Sequence, residues 1–353
     1  MTLRTWLIGL AFAVLTAGAC EEIDRHQRRS LGNFRREKEI LVICSDSVWK
    51  AVEKDLRRAV EKTILAVRRE QIFEISQTNA EFVSYYKEWN KVILIESLEN
   101  QALLADVVEK KMLDKISQGQ GLFFTNFDVW ATGQRVAGLA ASRDDQLGGL
   151  VREYGDRIFK DFLRQLEENE KLRMFGSGKN RTLADSLARE QGFSIMLPQV
   201  YEPSTRGDSL PPNQMLWVHM DPVRSVFISW CQGEDLPEQN LSKDSLAAAR
   251  DRLVGEIYPS ARTVPGRVDT STVSAQGLER LRVYGVWENH REMSGGVYIT
   301  HIIEVPEQNR RYTIDCLLFC PDPRQNKYRF LFQLDRILES FKVCGTVTKE
   351  EKK

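Results

Sequence analysis

Few residues in this chain are of a type and spacing that could do chemistry, and the first is Cys20. It follows the small residues Ala17-Gly18-Ala19, an apolar run from Trp6 to Ala19, and the positive charge of Arg4. That order is a secretory leader with an extended cleavage site. Its apolar run is shorter than the ~20 residues that cross a bilayer. A cysteine directly after the small residues, with Glu21-Glu22 next, makes it a lipoprotein signal, although Ala17 stands where the best such signals carry Leu. The chemistry expected is thioether attachment of diacylglycerol to the Cys20 thiol, and usually acylation of its new amino terminus by a chain such as palmitate. Each buried methylene contributes ~0.8 kcal/mol, and two or more chains anchor stably. The expected partner is therefore a lipid membrane. Glu21, not Asp, gives no inner-membrane retention signal, so the expected location is the bacterial cell envelope, at the outer membrane.

The second constellation is Trp287-Glu288-Asn289-His290-Arg291-Glu292-Met293-Ser294-Gly295-Gly296. Glu288 or Glu292 beside His290 could exchange protons if burial tuned them, with Ser294 as a nucleophile. The same residues also read as a polar hairpin, with Trp287 in the sheet and Gly295-Gly296 allowing close approach of another backbone or a ligand. Other candidates are thinner. Gly176-Ser177-Gly178-Lys179 lacks the rest of a phosphate loop, having Arg173 and Asn180 at the outer positions. Ser45-Asp46-Ser47, after the first strand, has no glycine for a dinucleotide turn. His26, His219, His290 and His301 show no ligand spacing, and no Gly-x-Ser-x-Gly elbow occurs, so neither metal nor cofactor is expected. Arg206-Gly207-Asp208 sits among prolines as an exposed loop, and Trp217 and Trp230 read as sheet packing.

The elements that must position these residues fall into two kinds. All 11 prolines lie between Pro198 and Pro323. Before them, strands are expected at 39–44, 73–76, 92–95, 122–127 and 129–141. Helices alternate with them: one with Trp49, Val52, Leu56, Val60 and Ile64 on one side, then 80–89, 101–116, 144–174 and 182–191. This is an α/β sandwich. Beyond it, strands at 193–198, 214–220, 223–230, 282–287, 297–304 and 312–319, with helices at 242–257 and 327–341, give an α+β unit with an antiparallel sheet. The expected organisation is a signal peptide at 1–19, a lipidated charged tether at 20–38, the α/β domain at 39–191, the α+β domain at 192–345 and a disordered tail at 346–353.

Composition narrows the function. Lys and Arg number 50 and Asp and Glu 50, so losing Arg4 with the leader leaves 49 against 50. No basic footprint for nucleic acid results. Beyond Cys20 the cysteines are Cys44, Cys231, Cys316, Cys320 and Cys344, an odd set best read as buried free thiols. Cys316 and Cys320 on one strand would stand ~13 Å apart, too far to bridge.

The order of motifs resembles an uncharacterised family of Bacteroidota lipoproteins classed as a domain of unknown function. The likeness runs from the leader through Ile40-Leu41-Val42-Ile43, Lys91-Val92-Ile93-Leu94 and Val129-Trp130-Ala131-x-x-Gln134. It continues through Phe193-x-Ile195-x-Leu197-Pro198, Trp287-Glu288 and Gly295-Gly296 to Ser340-Phe341. Arg68-Arg69-Glu70-Gln71 departs from it, since the family carries a Pro-rich stretch there. The family has no assigned activity. Residues 193–341 also look like the Mog1/PsbP type of domain, which implies binding or assembly more than catalysis. The leading expectation is thus a membrane-anchored, non-enzymatic interaction or envelope-assembly protein, with an envelope protein as partner and a sheet edge or inter-domain cleft as its surface. The alternative is an envelope hydrolase or small-ligand binder using segment 287–296.

Overall fold

The computed structural model describes residues 37–205, 210–232 and 242–344. Cys20, most of the tether, the 206–208 tripeptide, His26 and the tail therefore lie outside the described residues. Among those described, no helix is long and apolar enough to cross a membrane. The chain divides into two units. One holds the residues up to Thr63 and from Gln71 to Asn169, and the other holds Ile64–Glu70 and everything from Glu170.

In the first unit, β1 (Glu39–Ile43) is apolar along its length and buried on both faces, as a central parallel strand must be. Ser45 caps α1 (Asp46–Val60) by accepting the Val48 N–H at 3.3 Å, and Val48, Val52, Leu56 and Val60 face inward. The helix stops at Val60. Ile64, expected on its apolar side, lies instead on β2 (Thr63–Leu65), which pairs with β3 (Arg69–Gln71). β4 (Glu74–Thr78) is followed by a 3-10 turn, Ala80–Tyr85, where a longer helix was expected. After β5 (Lys91–Ser97) the expected helix is broken into α2 (Leu104–Val107) and α3 (Lys110–Ser117) by extended backbone at Val108.

β6 (Leu122–Phe127) and β7 (Arg135–Ala141) complete a sheet of order β4-β1-β5-β7-β6, parallel except for β6. Residues 129–134, expected as strand, form a loop. Gln134 holds it by accepting the Trp130 N–H at 3.0 Å and donating to the Lys87 and Trp89 carbonyls at 3.0 and 2.8 Å. The helix α4 (Asp144–Met174) follows with the bounds its charge and apolar spacing imply.

The second unit opens with α5 (Arg181–Gln191), β8 (Phe193–Ser194), β9 (Glu202–Pro203), β10 (Gln214–Met220) and β11 (Val223–Gln232). Then come α6 (Lys243–Val254), β12 (Ala261–Ala275), β13 (Leu278–Asn289), β14 (Ser294–Val305), β15 (Arg310–Phe319), α7 (Lys327–Ser340) and β16 (Lys342–Val343). Seven strands form one antiparallel sheet, β12-β13-β14-β15-β11-β10-β9. Residue parity assigns its two faces. Val226, Ile228, Ile299, Ile303, Ile314 and Cys316 point to α7, where Leu334, Ile337, Leu338 and Phe341 meet them in one core. Burying each such side chain is worth ~1.5–3 kcal/mol.

Two organisational expectations change. The unit boundary falls at Asn169/Glu170, inside α4, and not near residue 192, because Met174 and Leu187 bury their side chains in the second unit's core. The 15-residue β12 was not expected at all. Pro265-Gly266 lies in a register shift between Thr263 and Val268 on a sheet edge, where the missing proline N–H costs no ladder bond.

Candidate functional site

Segment 287–296 is the turn end of the β13–β14 hairpin. The register pairs Trp287 with Gly296, Glu288 with Gly295 and Asn289 with Ser294. The fold does bring His290 and Glu288 together, Nε2 to Oε1 at 3.1 Å, but the His290 side chain is 85% exposed and that of Glu288 42%. Glu292 is exposed and Ser294 half-buried. Asn289 organises the turn by accepting the N–H groups of Arg291 and Glu292 at 3.1 and 3.3 Å. Acid–base tuning needs burial, and these groups lie in water at a hairpin tip. Trp287 is buried in the sheet. Gly296 has a packing reason: a Cβ there would lie 2.0 Å from the Leu318 carbonyl oxygen of β15.

The other candidates separate. On the second unit's sheet the His219 ring lies 5.7 Å from that of Tyr201, tilted by 57°. His301 is buried on the α7 face, where burial first, and the charges of Arg280 and Arg282 after it, push its imidazole down to about 3. It is neutral at pH 7. Among the described residues no three His, Cys, Asp or Glu side chains are grouped to hold a metal. The Gly176–Lys179 segment closes α4, with the Lys179 ammonium 5.0 Å from the Phe175 ring. Five free cysteines are described: Cys44, Cys316 and Cys320 are buried, while Cys231 and Cys344 are half-buried. Burial raises the Cys44 thiol to about 12. Trp217 and Trp230 sit in the core.

The concave site lies elsewhere, on the sheet face opposite α7 and at the other end of β13 and β14 from the hairpin tip. A cavity of about 750 Å³ opens there. It exists because α6 is too short to cover the face. Leu246 packs with Val283, Trp287, Tyr298 and Leu317, and Val254 with Phe227, which leaves the sheet beyond them open. Leu246, Ala249, Arg250 and Leu253, at helical spacing, form one wall. The floor is Ser229 and Cys231 of β11, Thr313 of β15, Thr300 and Ile302 of β14, and Leu281 and Val283 of β13.

The buried charge in this site is already matched. Arg250, 4% exposed, donates from Nε and Nη2 to the two Asp315 oxygens at 3.0 and 3.1 Å, and from Nη1 to Asp251 at 3.2 Å. Its guanidinium carbon lies 4.1 Å from the Tyr298 ring centre. Burial draws the Arg250 pKa down, but Asp315, Tyr298 and Asp251 outweigh it and the net shift is upward. Asp315 also accepts the Thr300 hydroxyl at 2.6 Å. At the rim, Arg311 pairs with Glu304. Arg280, whose backbone borders the cavity, sends its guanidinium the other way, to the Leu338, Ala275 and Phe341 carbonyls. What remains for a ligand is aliphatic wall, the hydroxyls of Ser229 and Thr313, and the exposed carboxylates of Glu279 and Glu307 at the mouth. The volume is that of a small-molecule site.

The cavity could not be read from any motif, because its residues come from separate elements and are ordinary types. The one available signal was alternation. On β11, β14 and β15 the positions facing away from α7 carry Ser229, Cys231, Thr300 and Thr313 where a second buried face would be apolar.

Comparison with known proteins follows the two units. Residues 180–340 match the family described as a domain of unknown function, DUF4837, and residues 35–175 match another, DUF8532. The resemblance drawn from sequence to a family of unknown function therefore stands for the second half, and the first half matches a separate one. No curated protein matches. Among solved structures, the Saccharomyces cerevisiae Ran-binding protein Mog1p is similar at 11% identity and a TM-score of 0.30, covering 43% of this chain and 90% of its own. LpqN, described as involved in cell envelope biogenesis of Mycobacterium tuberculosis, is similar at 11% identity and a TM-score of 0.28, covering 43% of this chain and 83% of its own. Each of these likenesses covers less than half of this chain.

Proposed function

We propose that this chain is a lipid-anchored, non-enzymatic binding protein of the bacterial cell envelope, held at the outer membrane through acylated Cys20. Its binding site is the cavity of the second unit. One observation carries the binding reading: a cavity of about 750 Å³ whose buried charges satisfy one another, leaving aliphatic surface and hydroxyls for a ligand. An enzyme would need a reactive or proton-transferring group aimed into the space. Arg250 and Asp315 are committed to each other, and the exposed Glu288–His290 pair lies at the hairpin tip. The anchor rests on the order of residues before Cys20.

Two measurements test the two halves of this reading. Globomycin should make an unprocessed precursor accumulate, and Cys20→Ser should release the chain from the membrane fraction; normal processing under the drug contradicts the anchor. The apolar dye N-phenyl-1-naphthylamine should bind the full chain saturably, and Ala249→Trp, which fills the cavity from a helix, should abolish that binding. Equal binding by the two proteins contradicts the site.

A further inference from the structure

We propose that the ligand of this cavity is a single-tailed amphiphile bearing an amine, a reading that rests on the cavity being the binding site. The mouth of the cavity carries the evidence in its charges. Six charged residues border it: Arg250, Arg280, Arg311, Glu279, Glu304 and Glu307. The three guanidiniums are spent, on Asp315 and Asp251, on backbone carbonyls beneath α7, and on Glu304. Glu279 and Glu307 remain, both exposed and neither ion-paired among the described residues. Glu279 is the second residue of β13 and Glu307 lies in the 3-10 turn Pro306–Gln308 after the adjoining β14, so the two carboxylates stand beside the opening.

Neither carboxylate would make a site on exposed sheet. Beside a cavity walled by Leu246, Leu253, Leu281 and Ile302 they do, because an aliphatic tail is driven onto that wall while a charged head stays in water at the rim. A head of positive charge meets two carboxylates there. A carboxylate or phosphate head meets the same two groups with no unpaired cation among the described lining residues to offset them, so the rim selects by sign as well as by shape.

Cys231 supplies the readout. It lines the cavity, it is half-buried, and its alkylation by iodoacetamide can be followed at its own peptide by mass spectrometry in the full chain. Dodecylamine, dodecanol and dodecanoate, each below its micelle concentration, should slow that alkylation in the order amine, alcohol, acid. The amine should act at about tenfold lower concentration than the acid, the size expected from two exposed ion pairs gained against two repulsions. Glu279→Gln combined with Glu307→Gln should bring amine and acid within about twofold of each other while leaving dodecanol unchanged. Protection by dodecanoate equal to that by dodecylamine overturns the inference, as does an amine preference that survives the double substitution. If dodecanol protects but the amine does no better, the cavity stands and only the ligand class fails. If none of the three protects, both fail.

Discussion

Replacing Asp315 with asparagine removes the buried carboxylate that pairs with Arg250 of the cavity wall and leaves the side chain's shape almost intact. In the folded chain Arg250 is 4% exposed and Asp315 1%, joined by two hydrogen bonds of 3.0 and 3.1 Å. Neither can turn to water. The variant leaves a guanidinium in low dielectric with only Asp251, at 3.2 Å, to balance it. Removing one partner of a buried pair costs about 3–5 kcal/mol, since the surviving charge keeps its desolvation penalty and loses its compensation. For a unit of this size, about 2–4 °C per kcal/mol, the second unit's transition should fall by about 6–20 °C. Because there are two units, the assay must read one alone. Urea-dependent hydrogen exchange of β14 and β15 amides does so. Asp315→Leu with Arg250→Met should, by contrast, fall within about 1 kcal/mol of the natural chain or exceed it, because replacing both charges removes both desolvation costs. A loss below about 1 kcal/mol for Asp315→Asn alone would refute the burial and internal matching of this pair.

Three further outcomes follow from the same packing. Gly296→Ala should destabilise the second unit by about 1–3 kcal/mol or more, since its Cβ would meet the Leu318 carbonyl oxygen at 2.0 Å; thermal denaturation at natural stability contradicts the register. His301 is held at about 3 when folded against 6.5 ordinarily, so the unfolded chain takes the proton first as pH falls. Its neutral state therefore contributes fully above pH 6.5, and stability should drop by up to about 1.4 kcal/mol per pH unit between there and pH 3. His301→Leu should flatten that stretch of the urea-midpoint profile, and an unchanged slope would count against burial of the neutral ring. Finally, the Lys327 ammonium lies 2.7 Å from both Glu70 oxygens with side chains 9% and 11% exposed, tying Ile64–Glu70 into the second unit. Glu70→Gln should cost about 1–3 kcal/mol and speed exchange of the β2–β3 amides ahead of other second-unit elements. Uniform exchange would show that the pair holds nothing local.

Where the sequence was legible, one element met one kind of environment. β1 and β5 read as buried strands because apolar side chains fill both faces. α4 and α7 read correctly because their periodicity is unbroken over many turns. Failures came where tertiary context overrode a local signal. Ile64 continues the apolar spacing of α1, yet it belongs to a strand of the other unit, and no local pattern records that. The edge strand β12 was not expected, and Pro265-Gly266 forms a bulge within it. The site failed for a related reason. Segment 287–296 concentrated reactive residue types because hairpin tips are solvated, whereas the cavity draws on α6, β11, β13, β14 and β15 with residues that look like ordinary core and surface. Arg250 and Asp315, 65 positions apart, carry no hint in the chain that each exists to neutralise the other.

The second unit's cavity should be occupied in the cell, and native mass spectrometry of the full chain purified from its own source measures this directly. Beyond the mass of the lipid proposed on Cys20, the natural protein should carry a releasable small molecule that fragments as an amine with an aliphatic tail. Ala249→Trp, prepared in parallel, should lack it. The same adduct on both proteins, or none on either, would contradict the account.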